Sequence, residues 1–271
     1  MNAFTVISKT TYQTARNFRP YNAFRKNTGG YMRNRKVLFI FIFAIFVLFS
    51  SDSRAASLSL LLGGEADTEG QSYVYTGVIG ESPLQENLSL MYKLWLDHLT
   101  YEFEKDNDTI KAKAPAFQPA LGLKLLGQGS STTLWVGWEH RNTSIKPVRE
   151  NVEVRGVTDS LVLQFEFDKW TEKSTNFNII ASYSTENSYV WTRGRIKQEL
   201  SSYPLGRDLP LRIGLEAVGQ GNKDYSAFQV GPLLEIYSLK KNASFLIRGG
   251  YKRSSSDHSS AYGGIELFFG F

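Results

Sequence analysis

AYGGIELFFGF, residues Ala261 to Phe271, ends the chain on an alternating apolar segment with an aromatic last residue. Ile265, Leu267 and Phe269 fall on one face of an extended strand, and Tyr262, Gly264 and Glu266 on the other, with Phe268 the exception. A water-soluble sheet gains little from a phenylalanine at the end of an open edge. A sheet closed on itself inside lipid does need its last strand paired on both sides, because unpaired backbone groups have no water there to bond. Within this stretch the alternative is an ordinary strand of a soluble sheet.

Working outward, the same period-2 alternation recurs from Ala56 onward in segments of 8 to 18 residues, separated by turns rich in Gly, Asn, Asp and Ser. The pattern predicts twelve strands, at 57–64, 72–80, 87–104, 114–126, 131–141, 157–168, 174–184, 187–198, 208–219, 225–238, 241–252 and 260–271. Leu88, Leu90, Tyr92, Leu94 and Leu96 alternate with Ser89, Met91, Lys93, Trp95 and Asp97. Leu161, Leu163, Phe165 and Phe167 alternate with Val162, Gln164, Glu166 and Asp168, and Leu209, Leu211, Ile213, Leu215 and Ala217 with Pro210, Arg212, Gly214 and Glu216. One face is apolar and the other carries charges and small residues, as in a membrane barrel. A soluble sandwich has the same alternation with the faces exchanged, so the rest of the sequence has to decide.

The N-terminal region supplies part of that decision. Of the 31 Lys and Arg, nine lie in residues 1–55 beside a single acid, Asp52; the remaining residues carry 22 basic and 25 acidic side chains, a net of −3. The basicity therefore belongs to the leader, and no nucleic-acid partner is implied. Arg33, Arg35 and Lys36 precede the apolar run Val37 to Phe49 and the small-residue site Ser53-Arg54-Ala55. Thirteen apolar residues suit a secretory signal and fall short of the roughly 20 that span a bilayer as a helix. The expected organisation is a basic leader of doubtful translation at 1–31, a signal peptide at 32–55 and a barrel domain at 56–271. A mean hydropathy of −0.27 argues against a helical membrane protein. The absence of cysteine excludes disulfides, a thiolate nucleophile and a lipoprotein anchor.

An exported closed barrel ending in an aromatic residue points to the outer membrane of a Gram-negative bacterium, with outer-membrane lipid around it and Phe269 and Phe271 as candidate signals to the assembly machinery. The fold class is all-β, a single antiparallel transmembrane barrel of about twelve strands, within ten to fourteen. Both termini then lie in the periplasm, and the outer loops fall at 65–71, 105–113, 142–156, 185–186, 220–224 and 253–259. Aromatic residues near strand ends, among them Tyr73, Tyr75, Trp135, Trp138, Trp170, Tyr183, Tyr189, Trp191, Tyr237, Tyr251 and Tyr262, are expected in belts at headgroup level, with carbohydrate-stacking platforms facing the lumen as the alternative.

Catalytic signatures are thin. Asp257-His258-Ser259 brings suitable residue types together as chain neighbours, which point to opposite faces of a strand. Glu139-His140-Arg141 with Ser144 is better placed for a lipid-modifying site, and His98 is the third histidine. No metal-ligand spacing appears and no cofactor is implied. The inward face is richer: Lys93, Asp97, Glu166, Asp168, Arg212, Glu216 and Arg248 are predicted lumen charges, together with Glu139, Glu235, Glu266, Lys124 and Lys252. Opposite charges on facing strands fill a narrow interior or line a conduit. Tyr189, Trp191, Arg193 and Arg195 share one inward line and are the candidate contacts for a glycan.

The segments SYVYTG (72–77), IASYSTENSYVWTRGRI (180–196), GLEAVGQGNKDYSAFQVGPLL (214–234), GGYKRSSS (249–256) and AYGGIELFF (261–269) resemble the cellulose biosynthesis BcsS-type outer-membrane proteins. The resemblance covers nearly all of 58–271 and rests on hairpin and strand patterns; it carries over no catalytic residue. It implies a non-enzymatic accessory of cellulose or related exopolysaccharide production, with glucan and cellulose-synthesis proteins as partners. The competing readings are a general pore or structural barrel and an outer-membrane lipid-modifying enzyme.

The signal reading makes a direct prediction. Sequencing the N-terminus of the protein from the membrane fraction should give Ala56 or a residue beside it; an N-terminus that retains Val37 to Phe49 would overturn the cleaved signal.

Overall fold

The computed structural model describes residues 57–105, 108–148, 155–186, 188–200, 204–222, 225–255 and 259–271. The leader, the signal segment, Asp257 and His258 lie outside them. The described residues form twelve strands: β1 (Ser57–Asp67), β2 (Ser72–Gln85), β3 (Leu88–Lys105), β4 (Asp108–Gly127), β5 (Ser130–Lys146), β6 (Gly156–Trp170), β7 (Thr175–Ser184), β8 (Tyr189–Glu199), β9 (Leu211–Gly221), β10 (Ser226–Ser238), β11 (Ala243–Ser254) and β12 (Ser259–Gly270). Every strand pairs antiparallel with its sequence neighbours, and β12 returns to β1 to close a barrel. The twelve predicted segments are all present.

Closure is made by the opening stretch. Leu60 pairs with Phe269, Leu62 with Leu267 and Gly64 with Ile265. The last residue joins the ladder: the Phe271 N–H donates to the Leu58 carbonyl (2.7 Å) and the Leu58 N–H to the Phe271 carbonyl (3.3 Å). Followed once around the barrel through its pairs, the register returns to β1 about 14 residues further along. The strands are therefore strongly staggered, so side chains far apart in sequence meet at one height.

Alternation sorts the faces as expected. Leu134 is 61% exposed and Leu215 56%, while Glu216, beside Leu215 in the chain, is 1% exposed. Leucines out and glutamates in is the reverse of a soluble sandwich and suits a barrel whose outer solvent is lipid.

Two expectations are corrected. Of the predicted outer loops, 105–113 is largely strand, because β4 begins at Asp108, and 142–146 at the start of the next one is strand, because β5 runs to Lys146. Their polar composition reads as loop, yet the alternation continues with its sense inverted. On the lower part of β4 the leucines Leu121, Leu123 and Leu125 are exposed, whereas at its outer end Lys111 and Lys113 are exposed and Ile110 and Ala112 are fully buried. Ile110, Ala112 and Ile145 pack with Tyr101 and Phe103 into a small apolar core. A strand that leaves lipid for water must exchange its faces, so the inversion marks the membrane boundary on β4 between about Pro115 and Leu121.

The second correction concerns the aromatic belts. Trp138, Tyr183 and Tyr251 face outward, but Tyr73, Tyr75, Trp135, Trp170, Tyr189, Trp191, Tyr237 and Tyr262 share the inward parity of the lumen charges. Most of the predicted belt is lumen filling.

The outward leucines give a discriminating test. Leu134→Arg should destabilise the barrel refolded into bilayers by about 2–4 kcal/mol, the cost of a cation in the apolar band. A loss within about 0.5 kcal/mol, as for an exposed leucine in water, would overturn the lipid-facing assignment.

Candidate functional site

The lumen is built from the inward residues of every strand, and β8 supplies its organising line. Val190 and Ile196 point outward and are exposed, so Tyr189, Trp191, Arg193 and Arg195 point in. The two arginines meet carboxylates on other strands. Arg195 Nε lies 2.5 Å from Glu216 Oε2 on β9, and its Nη1 lies 2.9 Å from Glu266 Oε1 on β12. Arg193 Nη1 is 3.4 Å from Glu266 Oε2. From β11, Arg248 reaches Glu65 on β1 (3.0 Å), Glu216 (3.4 Å) and Glu266 (3.7 Å). Three guanidiniums thus face three carboxylates, and the hub is balanced in charge. The Arg195, Glu216 and Arg248 side chains are at most 5% exposed.

A second set of contacts carries the hub across the lumen. The Tyr75 hydroxyl donates to Glu266 Oε2 (2.6 Å), and its ring stacks on Trp95 at 4.8 Å. Lys93 sits over the rings of Trp95 (5.9 Å) and Trp135 (4.8 Å) and donates to Gln164 Oε1 on β6 (3.0 Å). Gln164 in turn donates to Glu166. Contacts therefore run from β12 to β6, half the barrel away. Two glycines let the rings lie flat against the wall: a Cβ at Gly77 would fall 2.1 Å from the Trp95 ring, and one at Gly63 would fall 2.4 Å from the Tyr75 ring.

Below this bridge, toward the chain termini, the lumen is ionic. Lys124 pairs with Glu81 (2.7 Å), Lys197 with Glu235 (2.9 Å) and Arg212 with Glu199 (3.2 Å), while Asn176 donates to Asp168 (3.1 Å). Arg212 is also held between the rings of Trp170 (4.6 Å) and Tyr237 (4.8 Å).

Above it, aromatic and neutral polar groups gather. The Tyr189 hydroxyl donates to Gln220 (2.9 Å), Trp95 donates to the Tyr73 hydroxyl (3.2 Å), and Tyr225 donates to Gln71 (3.4 Å). Burial pushes the Tyr225 phenol up to about 12, so it remains a neutral hydroxyl. Trp191 sits one inward step above Arg193, whose guanidinium is 5.8 Å from its ring centroid. The charges at this level are held in pairs: Asp97 with Arg141 (3.1 Å), Arg141 with Glu139 (3.1 Å) and Lys252 with Asp67 (2.7 Å). The Ser160 and Ser184 hydroxyls, the Tyr262 hydroxyl and Gln229 Oε1 are buried and find no hydrogen-bond partner among the described residues.

All twelve predicted lumen charges face inward, as do the four candidate glycan contacts. Among those four, Arg193 and Arg195 are occupied by Glu266 and Glu216, which leaves Trp191 and Tyr189 as the ones turned toward the outer half. Glu65, Asp67, Arg141, Lys197 and Glu199 were missed. Lys197 and Glu199 share the parity of Arg195 and were legible on that ground; Glu65 and Asp67 were assigned to a loop.

The histidines separate. His98 is exposed on the outward face of β3. His140 Nδ1 lies 2.8 Å from Asp159 Oδ1, also on the outward face. No serine or threonine hydroxyl bonds His140 among the described residues, and the Ser144 hydroxyl donates to the Lys113 carbonyl at 3.4 Å. Glu139 and Arg141 point the other way, into the lumen. A base and its orienting acid are thus present, without a nucleophile beside them among the described residues.

The family model described as cellulose biosynthesis protein BcsS matches residues 59–271. Among solved structures, the chain is similar to an outer membrane channel from Pseudomonas putida F1, with 10% identity, 80% of this chain and 95% of that chain covered and a TM-score of 0.48. It is also similar to the translocator domain of autotransporter NalP from Neisseria meningitidis (10% identity, 88% and 96% covered, TM-score 0.46). LpxR from Salmonella typhimurium gives 9% identity, 78% and 99% covered and a TM-score of 0.45. No match was found among curated proteins.

The crossing contacts predict a closed lumen. In planar bilayers the wild-type barrel should show no steady open-channel current, and Glu266→Ala should both raise conductance and lower stability by about 3–5 kcal/mol, since it takes from the buried Arg193 its carboxylate and from Arg195 and Arg248 one carboxylate each. Wild-type protein that conducts as an open pore would overturn the closure.

Proposed function

The chain belongs to the cellulose biosynthesis protein BcsS family, and from that premise we propose that it is an outer-membrane accessory of cellulose or related exopolysaccharide production that holds glucan in the outer half of its lumen. It acts as an anchor at the cell surface and not as an open conduit.

The observation that carries this reading is the division of the lumen at the Glu266 hub. Below the hub the interior is filled by ion pairs. Above it, around the pairs Asp97–Arg141 and Lys252–Asp67, stand aromatic faces, amides and hydroxyls, including the buried and unpartnered Ser160, Ser184, Tyr262 and Gln229 oxygens. A glucan presents C–H faces that pack on aromatic rings and neutral hydroxyls that bond amides and other hydroxyls, so its chemistry suits the upper half. Buried unpartnered donors and acceptors cost about 1–3 kcal/mol each, which a polar ligand would recover. Trp191 is the principal contact and Tyr189 the second. Arg193 and Arg195 act through the hub, fixing the floor on which the ligand rests.

Outer-membrane lipid surrounds the exposed leucines, the assembly machinery reads Phe269 and Phe271, and the cellulose-synthesis proteins are the source of the polymer.

The full chain in detergent should bind cello-oligosaccharides measurably more tightly than malto-oligosaccharides, by calorimetry or affinity electrophoresis. Trp191→Ala should weaken that binding about tenfold, the equivalent of about 1.4 kcal/mol, and leave the heat-modifiable gel mobility of a folded barrel intact. Equal and weak binding of both sugars by the wild type would overturn the glucan reading.

A further inference from the structure

A separate concentration of chemistry lies on the outside of the barrel, at the outer ends of β4 and β5. Lys111 and Lys146 are directly opposite in register, Lys113 is opposite Ser144, and all four residues are exposed on the outward face. Like charges facing each other across a strand pair repel, and they destabilise a sheet unless something of opposite sign lies between or over them. Within the protein, Glu102 supplies one such charge, 2.8 Å from Lys111. Lys113 and Lys146 have no carboxylate partner among the described residues, and Arg155, exposed just before β6, adds a further cation.

What stands beneath these cations is ordered. On the same outward face, Phe117 meets Trp138 edge-on at 6.5 Å, and His140 stacks on Trp138 at 5.7 Å. Because Asp159 holds its Nδ1, His140 keeps Nε2 for a further bond. Next come the bare leucine and valine side chains Leu121, Leu134 and Val136, each 47–61% exposed. From Lys113 to Phe117 is about 13 Å along the strand, a gap that flexible lysine stems shorten by lying back over apolar surface.

We infer that this face binds a phosphorylated saccharolipid of the outer leaflet. Its phosphates lie on Lys113 and Lys146, its sugar ring on the Phe117–Trp138–His140 shelf, and its acyl chains along Leu121, Leu134 and Val136. Neutral glucan has no charge to offer the lysines, and a soluble anion has no use for the leucines. An amphiphile with an anionic head, a sugar and chains matches the three layers in order. The inference rests on the placement of the barrel in the outer membrane and is independent of the glucan site.

The full chain is refolded into phosphatidylcholine nanodiscs, and retention of three probes is measured by native mass spectrometry: bisphosphorylated lipid A, the same lipid A stripped of phosphate, and phosphatidylglycerol. Bisphosphorylated lipid A should be retained at least about tenfold better than either other probe. Lys113→Glu with Lys146→Glu should lower that retention about tenfold or more, each lysine near an anionic surface contributing about a factor of five. Lys240→Glu with Lys241→Glu, the same change of charge at the opposite rim, should leave it unchanged, and so should Trp191→Ala. Equal retention by the Lys113/Lys146 variant, equal loss in the rim control, or equal binding of phosphatidylglycerol would overturn the site. Heat-modifiable mobility establishes folding of each variant; if the double glutamate variant does not fold, Lys113→Gln with Lys146→Gln carries the same comparison with an expected loss of about tenfold or more.

Discussion

Everything in this barrel follows from the pairing of its last strand with its first. In lipid a backbone N–H or C=O without a partner costs several kcal/mol, so an open edge of nine paired residues on β1 and β12 is not an available state. Closure removes it, down to the bonds between Phe271 and Leu58. Twelve strands closed with this stagger also fix a narrow interior, and inward side chains from opposite walls come within bonding distance.

That narrowness sets the chemistry of the lumen. Charges on the inner face cannot remain solvated independently, and the chain places Arg193, Arg195 and Arg248 against Glu65, Glu216 and Glu266 with equal numbers of each sign. The complete set is balanced in charge, and removing Glu266 takes from Arg193 its carboxylate. Tyr75 ties this cluster to the Trp95–Lys93 stack, and Gly63 and Gly77 are the cost in side-chain volume of laying those rings across the bore. The crossing contacts divide the interior into two parts, an ionic one toward the chain termini and one toward the opposite end that contains Trp191 and Tyr189. A role in anchoring glucan is compatible with this division, whereas passage of a polymer through it is not.

The sequence made the strands legible because lipid imposes alternation strictly: Leu88 to Leu96 and Leu161 to Phe167 have no other economical reading. It also put Tyr189, Trp191, Arg193 and Arg195 on one inward line, since parity on β8 is unbroken. Partner identity was not legible. Glu266 lies 71 residues from Arg195 and 191 from Tyr75, and the stagger that brings them to one height appears only when all twelve registers are combined. The aromatic belts were misread for a related reason: Tyr73 and Tyr75 look interfacial by position, but parity with Gly77 and Trp95 turns them inward. Strand ends at 105–113 and 142–146 were read as loop because lysine, serine and threonine there signal solvent, which is true of the solvent and false of the backbone.

The stretch Lys111-Ala112-Lys113-Ala114-Pro115 shows what those strand ends mean. Alternation continues through it without a break in register, but the polar residues now point out and the apolar ones in. A single strand of fixed period can present leucine outward at Leu121 and lysine outward at Lys113 only if it crosses between two solvents. The burial of Ile110, Ala112 and Ile145 under Tyr101 and Phe103 is then the ordinary hydrophobic effect resuming where water returns. The wall formed by β3, β4 and β5 therefore stands in water above the bilayer, holding its own small core on the lumen side. Its outer face is left free to be cationic directly above lipid, and its aromatic inner face roofs one side of the compartment that contains Trp191.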